Sequence, residues 1–247
     1  MKLKKVALAG VLSFSAVLAV GAPGFADEVG TMNSKTDVSF TVSEDPTNPV
    51  NPVDPGTEVG PKDPNDPNDP HEPGTKGPLS IDYVSNFHFG KQAMSGNDKV
   101  YTAQLDKVKE KGTDGKEIEV PNYLQVTDNR GTNKGWKVTV KQDGQFKAGN
   151  NELTGAELKL SNPVANSTID KKYAPKVETV TLNPNGDTQP VAIAQEETGM
   201  GTWVTAYGKD AVQGEKSVTL SVPGTTAKVK DLQYETTLIW ALEDTPQ

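Results

Sequence analysis

From Leu79 onward, apolar and polar residues alternate with a period of two. The alternation is clearest in Trp136/Val138/Val140, Val218/Leu220/Val222 and Leu238/Trp240/Leu242. A period of two places alternate side chains on one face of a strand, whereas a helix requires a stripe every 3.6 residues. The pattern predicts strands over residues 79–84, 99–105, 122–126, 136–141, 157–161, 178–182, 190–194, 202–207, 217–222 and 235–242. Turn chemistry separates them, as in Asn129-Arg130-Gly131, Asp143-Gly144, Asn183-Pro184-Asn185-Gly186 and Pro223-Gly224. No stretch sustains a helical stripe between caps. Short strands with regular turn signals predict an all-β protein, an Ig-like, Greek-key β-sandwich, with residues 79–247 as its main body.

Upstream, residues 36–42 also alternate, with Val38, Phe40 and Val42 on one side. Prolines then recur at 46, 49, 52 and 55 and again at 61, 64, 67, 70 and 73. A three-residue proline period matches one turn of polyproline II, which is extended and makes no internal hydrogen bonds. An isolated strand is not stable in water, so 36–42 must pair with the domain beyond the prolines. The expected organisation is one domain over 27–247: a first strand at 36–42, a long Pro-rich inserted loop at 44–78, and the main body. A tail that includes 36–42 is the alternative. Calcium binding by Asp63-Pro64-Asn65-Asp66 is disfavoured, because an extended backbone spreads the carboxylates apart.

The first residues set the compartment. Met1-Lys2-Leu3-Lys4-Lys5 is a basic start, residues 6–20 are almost uninterruptedly apolar or small, and Gly24-Phe25-Ala26 supplies small residues at −3 and −1 of a cleavage site. This is the pattern of a secretory signal peptide over 1–26. No other stretch approaches the ~20 apolar residues of a membrane span.

The chain has 0 Cys and a net charge of −8, and it becomes more acidic once Lys2, Lys4 and Lys5 leave with the signal peptide. A chain without cysteine forms no disulfide and offers no thiolate ligand or nucleophile. An acidic chain is repelled by nucleic acid and by anionic lipid, so neither is an expected partner. His71 and His88 stand apart in sequence with no companion at ligand spacing, so no metal is expected; His88 reads as a partly exposed strand residue. No nucleophile elbow, zinc-protease motif or phosphate loop is present. Among 33 acidic residues, pairs such as Glu196-Glu197 arise by chance. No catalytic residue, cofactor or enzymatic activity is expected.

Three sequence blocks then occur in order: Gly77-Pro78-Leu79-Ser80-Ile81-Asp82-Tyr83-Val84-Ser85-Asn86-Phe87-His88-Phe89-Gly90; Gln125-Val126-Thr127-Asp128-Asn129-Arg130-Gly131 with Gly135-Trp136-Lys137-Val138-Thr139-Val140; and Tyr234-Glu235-Thr236-Thr237-Leu238-Ile239-Trp240-Ala241-Leu242. Together they resemble the WxL domain of Gram-positive cell-surface proteins. The first Trp triplet ends in Val138 where the family has Leu, a similar apolar choice on a strand. The resemblance implies non-covalent attachment to the cell wall, with peptidoglycan or another wall polymer as ligand. It further implies work in complexes with other surface proteins, including a membrane-anchored partner. Adhesion to host matrix is a third class. The chain has no Leu-Pro-x-Thr-Gly motif, so sortase anchoring is not expected. Residues implied in binding are Trp136, Val138, Trp240, Leu242 and Trp203, with Asp128, Asn129, Arg130 and Gly131 as a structural motif. Trp136 and Trp240 alternate in phase with aliphatics and are expected to pack in the core; the alternative is that the two Trp strands lie side by side as a platform for wall glycan or a protein partner. Trp203, approached through Gly199-Met200-Gly201, is the expected exposed aromatic.

Overall fold

The computed structural model describes residues 30–61, 69–112 and 115–244; the signal-peptide residues and Asp63 to Asn68 lie outside them. In chain order the strands are β1 (Val50–Asn51), β2 (Asp54–Pro61), β3 (Leu79–Val84), β4 (Lys99–Thr102), β5 (Asp106–Glu110), β6 (Glu117–Val120), β7 (Tyr123–Asp128), β8 (Trp136–Ala148) and β9 (Asn151–Glu152). They continue with β10 (Glu157–Leu160), β11 (Pro163–Asn166), β12 (Lys176–Val177), β13 (Val180–Leu182), β14 (Gln189–Ala194), β15 (Gly201–Tyr207), β16 (Val218–Val222) and β17 (Glu235–Glu243). The protein is all-β, and each expected strand from Leu79 onward is present within three residues of its predicted ends, except that β8 runs on from the expected end at 141 to Ala148.

The strands form four small antiparallel sheets, ordered β1-β2-β5-β6, β13-β10-β16-β4, β11-β15-β7-β3 and β12-β14-β8-β17, with β9 also on β8. The all-β expectation holds, but the strands form four small sheets and not the Ig-like, Greek-key sandwich expected from the sequence. One of the four sheets is built from β1, β2, β5 and β6, which lie in the proline-rich and Lys/Glu-rich stretches where no strand was expected.

Two expectations about the N-terminal region are corrected. The chain divides into two units after Phe40. Residues 36–42 form no strand, and Val38 and Phe40 are 77% and 90% exposed. Alternation supplies an apolar face but no partner, and no ladder among the described residues includes this segment. The proline stretch, in turn, is not one long loop. Val50 and Asn51 pair with Glu58 and Asp54 to make a hairpin, and its turn is fixed by Val53 N–H donating to Asn51 Oδ1 at 3.1 Å. Proline's fixed φ lies at the edge of the broad β region, so it is accommodated in a strand where its missing N–H is not needed.

Sheet β11-β15-β7-β3 lies between two hydrophobic cores. Every residue of β7 is buried. Leu124 and Val126 enter the main core with Trp136, Val138, Val140 and Trp203. On the opposite face, Tyr123 enters a smaller core with Val59, Tyr83, Val108, Val120, Val204 and Ala206. Register explains the division: Trp203 lies opposite Val126, and Ala206 lies opposite Tyr123.

Candidate functional site

The two tryptophan-bearing strands, β8 and β17, are neighbours, with Leu242 opposite Val138 and Trp240 opposite Val140. Residues opposite one another in an antiparallel pair share a face, so Trp136, Val138 and Leu242, Val140 and Trp240 line one surface. Their environments nevertheless differ. β8 is flanked by β14 and β17, and Trp136 and Val138 are 1% and 0% exposed. The Trp136 indole N–H donates to the Gly199 carbonyl at 2.9 Å. Gly199 has φ +74°, and a Cβ there would come within 2.6 Å of Trp136 Nε1, so only glycine brings the backbone this close.

β17 is the outermost strand of its sheet. Leu238, Trp240 and Leu242 are half-buried and pack against the margin of the main core. The Trp240 indole N–H has no hydrogen-bond acceptor among the described residues, whereas both other tryptophans have one. Burial at this position is partial, so the expected core placement holds fully for Trp136 and only in part for Trp240.

Trp203 corrects the third expectation. It is 2% exposed, and its N–H donates to the Met200 carbonyl at 2.9 Å. The glycines before it allow a tight reversal that feeds Trp203 into β15; they do not present it to solvent.

The structural motif works as a clasp between the two Trp blocks. Arg130 holds Asp128 in two parallel bonds, Nε to Oδ1 at 2.9 Å and Nη2 to Oδ2 at 2.8 Å. Nη2 also donates to the Gly135 carbonyl at 2.6 Å, just before Trp136, and Nη1 donates to the Asp244 carbonyl at 3.0 Å, just after β17. One guanidinium thus joins the ends of β7, β8 and β17. The Asp128 bonds, followed by opposing burial and then its charge, hold Arg130 above the ordinary guanidinium value. Asn129 N–H donates to the Pro78 carbonyl at 2.6 Å, which ties in the entry block, and Gly131 turns the chain at φ +68°. Gly135 lies so close to β14 that a Cβ would meet Ala194 O at 2.2 Å. Lys137 and Glu243 add an ion pair across β8 and β17 at 3.1 Å.

A second polar cluster lies beneath the N-terminal hairpin. Asp82 accepts from Ser80 at 2.6 Å, Gln125 at 2.9 Å and Thr127 at 2.6 Å. Burial outweighs these bonds and raises its carboxyl. Gln125 also accepts from Val50 N–H at 2.7 Å and donates to the Asn48 carbonyl at 3.0 Å, which fastens the hairpin. Asp106 accepts from Tyr83 and Ser85, and burial again raises its carboxyl. The two histidines, read as unrelated in sequence, converge on Asp69: His88 Nε2 lies 3.0 Å from its carboxylate and His71 Nε2 3.7 Å. His71 stacks on Tyr83, which stacks on Tyr123. His88 is half exposed, as expected, but lies in a non-strand segment. Among the described residues no cluster of His, Asp or Glu is arranged to hold a metal ion. A cleft of about 400 Å³ opens here between Pro46, Pro49, His71, Glu72, Asp82 and Tyr83.

Among the described residues no helix is long and apolar enough to cross a membrane. No curated protein and no solved structure matches the chain. A family model described as "WxL domain surface cell wall-binding" matches residues 27–246, nearly the whole sequence, in agreement with the motifs joined by Arg130. The chain belongs to the WxL family of surface cell-wall-binding domains.

Proposed function

We propose that the protein is secreted through its signal peptide and is held non-covalently on the Gram-positive cell wall by peptidoglycan, without catalysing a reaction. The observation that carries the contact assignment is the contrast among the tryptophans: Trp240 alone is both partly exposed and free of an internal acceptor among the described residues. An aromatic face and an unused N–H suit a sugar ring, which offers C–H groups for stacking and hydroxyls for hydrogen bonding. Leu242 extends the apolar surface beside it, while Trp136, Val138 and Trp203 support it from within the core. The Arg130 clasp fixes β17 in place.

The test uses the full mature chain and purified sacculi. The protein should sediment with intact sacculi from which teichoic acids have been removed, and it should return to solution after muramidase digestion. Sedimentation only when teichoic acids are present would replace peptidoglycan with an anionic polymer as the ligand. N-terminal sequencing of wall-extracted protein should begin at Asp27, the residue after the small-residue cleavage site.

A further inference from the structure

An open sheet edge is a row of unpaired N–H and C=O groups, and soluble proteins shorten, charge, bend or cover such edges. Among the described residues, seven of the eight strands that end the four sheet orders are short, guarded by charge or proline, or covered along their length. β1 and β12 have two residues and β13 has three. β4, β6 and β11 have four each, and they carry Lys99, the Glu117/Glu119 pair and Pro163 respectively. β3 is longer, but residue 75 covers it: Thr75 N–H donates to Ile81 O at 2.8 Å, and Ile81 N–H donates to Thr75 Oγ1 at 2.9 Å.

β17 differs in length and in its unguarded middle: its only charges are the end residues Glu235 and Glu243, and its only register irregularity with β8 lies between Glu235 and Thr237. It runs nine residues, Glu235-Thr236-Thr237-Leu238-Ile239-Trp240-Ala241-Leu242-Glu243, with no Lys, Arg, Pro or Gly. Apart from its ladder with β8, its backbone from 236 to 243 makes no hydrogen bond among the described residues. Ile239 is 40% exposed on the outer face. Charge discriminates between occupants. Two copies paired antiparallel about Ile239 would set Glu235 opposite Glu243 twice, in a chain whose net charge is −8. Like charges directly opposite one another destabilise a strand pair.

We infer that β17 is a docking edge for an extended segment of a different protein, which adds as a further strand and carries alternating β-branched or apolar side chains with Lys or Arg at both ends. Main-chain bonds along the edge supply affinity, and the end charges together with the side chains beside Ile239 supply selectivity. This goes beyond wall attachment: it uses the backbone edge and the Ile239 face of β17, whereas the wall contact uses the Trp240 indole on the other face.

The test is hydrogen exchange on the full mature protein with the synthetic nonapeptide Lys-Thr-Val-Thr-Val-Thr-Val-Thr-Lys as probe. The peptide should slow exchange of amides within 235–243. A Glu-ended version should bind at least tenfold more weakly, and a version with a central proline should not bind measurably. Ile239→Lys should weaken the probe at least tenfold and leave sacculus binding unchanged, whereas Trp240→Ala should lose sacculus binding and keep peptide-induced protection. No protection within 235–243, equal binding of the Glu-ended peptide, or concentration-dependent protection of β17 in a sedimenting dimer would each overturn the inference; the last would assign the edge to a second copy.

Discussion

Trp136 and Trp240 occupy equivalent places in two copies of one short pattern, on strands that touch, yet the fold treats them differently. Trp136 lies on an inner strand, sealed between β14 and β17, with its N–H spent on Gly199. Trp240 lies on the outermost strand, with one side against the core and the other open. Strand order, not residue type or alternation, separates a core tryptophan from an available one.

The largest effect expected from breaking this contrast is at Trp136. Trp136→Ala should cost ~3–5 kcal/mol, because a sealed cavity cannot collapse around the missing ring. Denaturant melts will show it, and binding should be lost with the fold. Arg130→Ala should follow at ~2–3 kcal/mol. It strands the Asp128 carboxylate, whose side chain is 3% exposed, and releases both Gly135 and Asp244. Arg130→Lys should recover less than half, since an ammonium cannot reproduce the two-pronged bond and reach both carbonyls. Trp240→Ala should cost only ~1–2 kcal/mol, in line with partial burial.

Smaller effects sharpen the boundary of the folded unit. Removal of residues 30–45 should move stability by ~0.5 kcal/mol or less, because Val38, Phe40 and Val42 are exposed. A loss of several degrees in Tm would instead mean that this segment does pair. The buried carboxylates give a pH signature. Burial raises the folded-state value of Asp106 above its ordinary 3.8, so its protonated form favours the fold. That contribution is complete below 3.8 and is lost as pH rises through the folded value. Wild type should therefore lose stability relative to Asp106→Asn as pH climbs from about 4 through the folded value, in denaturant melts at stepped pH. Asp69 should behave oppositely. Its burial is outweighed by the Asn86 bond and the His88 charge, and its value lies below 3.8. Its contribution is therefore present above 3.8 and fades as pH falls through the folded value.

Ten of the strands from Leu79 onward were legible because they place aliphatic or aromatic residues in phase, and the core faces of β8 and β16 follow directly from Trp136/Val138/Val140 and Val218/Leu220/Val222. The reading failed where period and partner disagree. Residues 36–42 have the period but no strand partner among the described residues. β2 has partners, but its prolines read as polyproline II. β5 buries Val108 between lysines, so a single apolar residue carries its inner face. The clasp was half legible. Asp128 and Arg130 stand together in sequence, but the Asp244 carbonyl that Arg130 reaches is 114 residues away and is contributed by backbone, which no side-chain pattern reports. His71 and His88 met for a similar reason: the chain returns past β3 and places Asp69 between them.

Sedimentation of the Trp240→Ala protein with purified sacculi, with its denaturant melt run in parallel, tests the central claim most directly. The inner–edge contrast predicts a folded protein, within ~2 kcal/mol of wild type, that no longer sediments with the wall. A Trp240→Ala protein that is equally folded and still binds sacculi as wild type does would contradict the account and move the wall contact away from β17.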